Sequence, residues 1–212
     1  MMHHIDEFLS LNMVSLFKGR ETTMKVYYFD HAASSWPKPP EVVQEMTRAV
    51  EQYAANPGRG SHTMAVEASR TLFQTRLALA KLFNIRNPND IFFAVNTTFA
   101  LNQAIKGFLR QGDHVITTRI EHNSVRRPLE YLKRSGVINV TYLSVSKTGQ
   151  IDLQELVRAI RPETKLLAFS HSSNLLGSIV PLSEMSEIAK KRGVKVLVDA
   201  AQTAGTFPID VE

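Results

Sequence analysis

From residue 91 to residue 199 the chain alternates short, apolar, β-branched segments with amphipathic stretches of helical period. No other feature constrains the fold as tightly. The strand-like segments are 91–95, 114–118, 137–143, 166–170 and 194–198, and apolar residues recur at helical spacing over 98–109, 123–135, 153–160 and 182–192. A segment such as Val194-Lys195-Val196-Leu197-Val198 is short and largely apolar, which fits a sheet covered by helices on both faces. The expected architecture is α/β, with a doubly wound, mainly parallel sheet. Such sheets bind their ligands at the carboxyl ends of the strands, so the residues just after each strand are where chemistry is sought.

Upstream, 26–29 reads as a short strand and Trp36-Pro37-Lys38-Pro39-Pro40 as a turn. Val42, Val43, Met46, Ala49, Val50 and Tyr53 have helical spacing, Asn56-Pro57-Gly58-Arg59-Gly60 breaks that helix, and a second helix runs over 63–83. Residues 1–23 show no sustained period and are expected to form a poorly ordered extension ahead of a folded unit at 24–212. The chain of 212 residues is 43% hydrophobic and 21% charged, a balance that supports a packed core and argues against disorder. No apolar run approaches the roughly 20 residues of a membrane span. Asp6 and Glu7 interrupt the N-terminus too early for a secretory signal.

The absence of cysteine removes disulfides, thiolate nucleophiles and cysteine metal sites. No metal site is expected, and a cytoplasmic location is the simplest expectation. The net charge of +5 is dispersed. Arg126-Arg127 and Lys190-Lys191-Arg192 lack interleaved aromatics and read as solvated helix surface, so neither nucleic acid nor membrane is an expected partner.

Four strand ends carry polar groups. Asn96-Thr97-Thr98 opens a helix, where hydroxyls and free N–H groups suit a phosphate; an ordinary threonine cap is the plainer reading. Glu121-His122-Asn123-Ser124 offers an imidazole that could stack on a flat ligand or move a proton, or a surface histidine with Asn123 capping the next helix. His171-Ser172-Ser173-Asn174 precedes Gly177 and is either a ligand-facing polar run, with Asn174 as donor and acceptor, or a polar turn. Asp199-Ala200-Ala201-Gln202 ends the last strand. A carboxylate there is costly without a cation or donors, unless it caps a short helix. Together a phosphate cradle, an imidazole, an amide and a carboxylate suit a flat, phosphorylated, cationic heterocycle such as pyridoxal phosphate, whose protonated ring nitrogen an aspartate can hold.

Several runs in order also resemble a known family. Val198-Asp199-Ala200-Ala201-Gln202, Asn174-Leu175-Leu176-Gly177 and Glu121-His122-Asn123 are similar to the class V aminotransferases, in the branch of cysteine desulfurases and selenocysteine lyases. Tyr28-Phe29-Asp30-His31-Ala32-Ala33 and Asn56-Pro57-Gly58-Arg59-Gly60-Ser61-His62 resemble that branch's N-terminal strand and active-site loop. The resemblance implies the large domain of a fold type I pyridoxal-phosphate transferase. It implies that Thr97 and Thr98 hold the phosphate, and that His122 stacks on the ring and relays protons, as the catalytic residue. It further implies that Asn174 and Gln202 lie near the phenolic oxygen, that Asp199 partners the ring nitrogen, and that Ala32, Ala33 and Asn56 line the substrate side.

In that family a Ser-x-His-Lys motif carrying the cofactor's anchoring lysine follows the Asp-x-x-Gln segment. A small C-terminal domain then brings the substrate-binding arginine and, in desulfurases, a nucleophilic cysteine. The sequence ends at Glu212 without them. The chain therefore reads as an N-terminal half with a truncated large domain and no small domain, inactive alone, and a homodimer when complete. Its implied partners are a small amino-acid substrate and a sulfur-acceptor protein. Transamination, epimerisation or another lyase reaction stays open, as does a non-catalytic fragment that binds a partner. A nicotinamide dehydrogenase fits poorly, because Gly58-Arg59-Gly60 sits between helices and lacks the third glycine of a dinucleotide-binding turn.

Overall fold

A computed structural model describes residues 27–212. They belong to two compact units divided between Lys38 and Pro39. In the first, the Tyr28 hydroxyl donates to the carbonyls of Asp30 (3.1 Å) and Ser34 (2.7 Å), and the ring lies edge-on to His31 and Trp36. Residues 27–29 are not a strand, so the expected 26–29 strand is absent there; Val26 and the expected 1–23 extension lie outside the described residues.

The second unit runs α1 (Pro40–Gln52), α2 (Thr63–Phe83), a 3-10 turn (Pro88–Asp90), α3 (Thr97–Phe108), β1 (His114–Thr118), α4 (Asn123–Arg134), β2 (Asn139–Leu143), α5 (Leu153–Ala159), β3 (Thr164–Ser170), α6 (Leu182–Lys191) and β4 (Lys195–Asp199). The strands form one sheet in the order β2-β1-β3-β4, with every pairing parallel. Parallel neighbours need a crossover, and the helices supply it on both faces. On one face Leu101 and Ile105 of α3 and Val125 and Leu129 of α4 pack on Val115, Leu166 and Ala168. On the other, Leu156 of α5 and Met185 and Ala189 of α6 pack on Ile116, Leu143, Leu167 and Phe169. Alternate residues of β1 and β3 thus feed opposite layers, as the period of two requires. Each fully buried side chain of this size adds about 1.5–3 kcal/mol. The expected doubly wound α/β fold is what forms.

The helix ends explain their positions. Asn84 closes α2 in the left-handed conformation (φ 54°), which asparagine tolerates, and its N–H caps the Ala80 carbonyl. Asn96, not a threonine, caps α3, accepting from the Phe99 N–H at 2.8 Å. His122, not Asn123, occupies the cap position of α4.

The expected strand at 91–95 does not form: no ladder partner joins it among the described residues, and Phe92 and Val95 stand exposed. The same holds for α1. Its apolar spacing is helical as expected, but Val42, Val43, Met46 and Val50 remain exposed among the described residues. Among these residues no helix is long and apolar enough to cross a membrane.

Candidate active site

The strand order places a topological switch between β1 and β3. From β1 the chain steps outward to β2 through α4; from β2 it crosses back over β1 to β3 through α5, on the opposite face. The loops leaving β1 and β3 therefore diverge and open a crevice at their carboxyl ends.

Glu121 spans that crevice. Its carboxylate accepts from the Thr118 hydroxyl at the end of β1 (2.5 Å), and from both the N–H and the hydroxyl of Ser170 at the end of β3 (2.8 Å each). Burial pushes its pKa above the usual carboxylate range, the three donors pull it back, and the charge of Asp199 adds to the rise. Sequence reasoning quoted Glu121 within a motif and gave it no role. The available signal was a carboxylate two residues before a helix and three residues after the end of a buried strand, where it must find donors.

Asp199 ends β4 and is 6% exposed. Its Oδ1 accepts from the Ala201 N–H at 3.1 Å in a turn; no helix follows, so the expected cap of a short helix does not form there. Its Oδ2 lies 3.4 Å from the Ser124 hydroxyl. No ion pair to Asp199 exists among the described residues. Ser124, buried in the first turn of α4, also places its Oγ 2.7 Å from His122 Nδ1, and its N–H donates to the same nitrogen at 3.2 Å. Ser124 thus lies between two strand ends, in contact with His122 and 3.4 Å from Asp199. The imidazole ring itself is exposed.

The other expected residues divide. Thr97 and Thr98 form the first turn of α3, exposed, with no side-chain hydrogen bond of their own among the described residues; α3 packs against β4, the strand that Asp199 ends. Asn174 is exposed in the turn after β3. That loop is tied to the end of β4 by the His171 N–H donating to the Asp199 carbonyl (3.0 Å) and by a 2.9 Å bond between the His171 ring and Thr203. Burial pushes the His171 pKa down, so this imidazole is a neutral strut. Gln202 is half-buried in the same segment. Asn56 is exposed in the loop between α1 and α2, which folds back on α2 through Gly58 N–H to Ser69 Oγ at 3.1 Å; no hydrogen bond joins Asn56 to the strand ends. Ala32 and Ala33 belong to the first unit, in the turn after Asp30.

Against this geometry stand the chain's similarities to known proteins. The family model "Aminotransferase class-V" matches residues 27–212. The chain belongs to the class V aminotransferase family. A "Cysteine desulfurase IscS" of Neisseria meningitidis serogroup C is 35% identical over 189 residues, covering 87% of this chain and 46% of that protein. A "Probable cysteine desulfurase" of Synechocystis is 33% identical, with 87% and 45% covered. Among solved structures, a "NifS-like protein" superposes with a TM-score of 0.81 at 30% identity, covering 89% of this chain and 52% of the other. The apo cysteine desulfurase of Thermococcus onnurineus NA1 gives the same TM-score, 0.81, at 32% identity, with 88% and 46% covered. The chain thus spans about half the length of the relatives it matches. The fold and family inferred from the strand-end motifs agree with these class V relatives.

Proposed function

We propose that this chain carries the cofactor-binding part of a pyridoxal-phosphate enzyme that removes sulfur or selenium from a small amino acid, with cysteine as substrate. The observation that carries the reading is Asp199: a buried carboxylate at the carboxyl end of an apolar strand, with no ion pair among the described residues, and 3.4 Å from the Ser124 hydroxyl that contacts the His122 imidazole. A lone buried charge is costly, and a cationic ring nitrogen is the partner it lacks. The donor set fits the rest of the group. The first turn of α3 offers backbone N–H groups and two hydroxyls to a phosphate, since Asn96 satisfies only the Phe99 N–H.

In this reading Thr97 and Thr98 bind the phosphate, Asp199 keeps the ring nitrogen protonated, and His122 covers one ring face and holds or moves a proton at Nε2. Asn174 and Gln202 orient the ring from the loops after β3 and β4. Ala32, Ala33 and Asn56 belong to the substrate side. Pyridoxal phosphate, when bound, supplies the electron sink that lets the bond to sulfur break. The complete protein is, in this reading, a cytoplasmic homodimer that hands sulfur to an acceptor protein. The names of the relatives support desulfuration over transamination or epimerisation.

Calorimetric titration of the chain with pyridoxal phosphate tests the cofactor reading. Saturable binding is expected, weakened roughly a hundredfold by Asp199→Asn, since stranding a buried charge costs about 3 kcal/mol or more. Thr97→Ala with Thr98→Ala should weaken it further and abolish competition by inorganic phosphate. Binding indifferent to these changes, or no saturable binding, would refute it. Sulfide release from cysteine by the holoenzyme, lost in Asp199→Asn, tests the reaction.

A further inference from the structure

We propose that Ser124 is a positioning residue that fixes the tautomer of His122, holding the ring hydrogen on Nε2 and keeping Asp199 Oδ2 free of a hydrogen-bond donor.

The argument is one of donors and lone pairs. The Ser124 N–H reaches His122 Nδ1 at 3.2 Å, and a backbone N–H can only donate. Nδ1 therefore offers its single lone pair, and the ring hydrogen must sit on Nε2. The Ser124 Oγ, 2.7 Å from the same nitrogen, shares that one lone pair with the N–H as the nearer of two donors, because an unprotonated nitrogen has no hydrogen to give. A hydroxyl has one hydrogen. Spent on His122, it cannot also go to Asp199, and the 3.4 Å separation from Asp199 Oδ2 is beyond the range of a formed O–H···O bond. Oδ2 is then left with no closer donor among the described residues, while Oδ1 keeps the Ala201 N–H.

Two features of α4 make the arrangement specific. His122 is itself the helix cap, taking the role that a serine, asparagine or aspartate oxygen ordinarily fills. Pro128, inside the helix, has no N–H to return to the Ser124 carbonyl four residues earlier. With that backbone bond missing, the bonds between His122 and Ser124 reinforce a first turn that the Val125 and Arg126 N–H groups also close on the His122 carbonyl, at 3.0 Å each. Ser124 and Val125 are both buried, so the hydroxyl is not free to swing to water. His122 is exposed, and no hydrogen bond is made at Nε2 among the described residues, so Nε2–H is left as a donor for a bound group.

The tautomer rests on this geometry alone; its use in catalysis rests on the function proposed above. Long-range proton–nitrogen correlation spectra of the histidine-labelled chain read it directly, with His122→Gln assigning the signals. The wild-type chain should show His122 as the Nε2–H tautomer. Ser124→Ala should lower the tautomer ratio by about tenfold, the worth of one hydrogen bond, moving both ring nitrogens toward averaged shifts. Ser124→Thr, which restores the hydroxyl, should return the wild-type pattern, and dispersed amide spectra of each variant verify the fold. An Nδ1–H tautomer in the wild type would overturn the proposal, as would a Ser124→Ala pattern unchanged from it. A chain that shows the Nε2–H pattern and its loss in Ser124→Ala, yet binds no pyridoxal phosphate, would uphold the proposal and remove the cofactor reading.

Discussion

Lowering the pH should destabilise this protein through His114. This residue starts β1 and is 1% exposed, at the end of the sheet away from the candidate site. Its Nδ1 lies 2.8 Å from Thr164 Oγ1 and its Nε2 lies 2.8 Å from Thr141 Oγ1, with Arg161 donating to Nε2 at 3.1 Å. It thus joins β1 to both of its neighbours. Burial and the nearby Arg161 guanidinium push its pKa from 6.5 down to about 4. In the unfolded chain it titrates near 6.5, so between 6.5 and about 4 the unfolded state binds more protons than the folded one. Stability from this group is therefore complete above 6.5 and is lost as the pH falls toward 4. A gap of that width, at about 1.4 kcal/mol per pH unit, amounts to roughly 3 kcal/mol. That is a large share of the roughly 5–15 kcal/mol of an ordinary domain. The assay is urea unfolding at pH 7.5 and pH 4, comparing wild type with His114→Gln, which keeps a donor and an acceptor but cannot titrate. The wild type should lose about 3 kcal/mol more than the variant across that interval. Equal losses in the two proteins would refute the reasoning, because His171 and the carboxylates titrate in both.

Other perturbations have equally definite expectations. Gly149→Ala should destabilise by more than 1 kcal/mol in thermal unfolding, since φ is +78° and a Cβ would meet Ser178 Oγ at 2.3 Å. Phe169→Ala, in the middle of β3 and wholly buried, should cost about 3–5 kcal/mol in urea unfolding and leave m nearly unchanged. Glu121→Gln removes a carboxylate whose raised pKa makes the wild type relatively more stable below the unfolded value near 4.5 and less so as pH rises through the folded value. The variant's stability should therefore decline less than the wild type's as pH rises from 4, measured by chemical denaturation.

The strands and helices of the second unit were legible because local pattern and tertiary burial agree there. The 114–118 and 63–83 segments have the boundaries that the sequence suggested. Period alone misleads at 91–95, where the apolar β-branched run satisfies the local criteria but a strand also needs a neighbour to accept and donate its backbone bonds. The helical spacing in α1 likewise identifies the apolar face correctly without saying what lies against it. At the site, residues that announce themselves by type were found: a carboxylate, an imidazole and hydroxyls after strands. Ser124 was not, because a serine near a helix start is ordinary and its importance comes from Asp199, which is 75 positions away in sequence. Glu121 was passed over for the same reason, since its partner Ser170 is 49 positions away.

The two carboxylates give the site its direction. Glu121 has three donors and holds β1 to β3; Asp199 has a backbone donor on one oxygen and a long approach from Ser124 on the other. Burial is what chiefly raises the pKa of Glu121, and the charge of Asp199 adds a smaller rise. A pair of buried carboxylates with unequal shares of donors is an electrostatic demand for positive charge at the poorer one. That demand falls at Asp199, at the end of β4, the strand on which α3, opened by Thr97 and Thr98, packs. Neutralising Asp199 would relieve Glu121 as well, so a cation bound there would also stabilise the clamp that holds the crevice. Binding at the rim and stability of the switch point are in this way coupled through charge, with no movement of the sheet required.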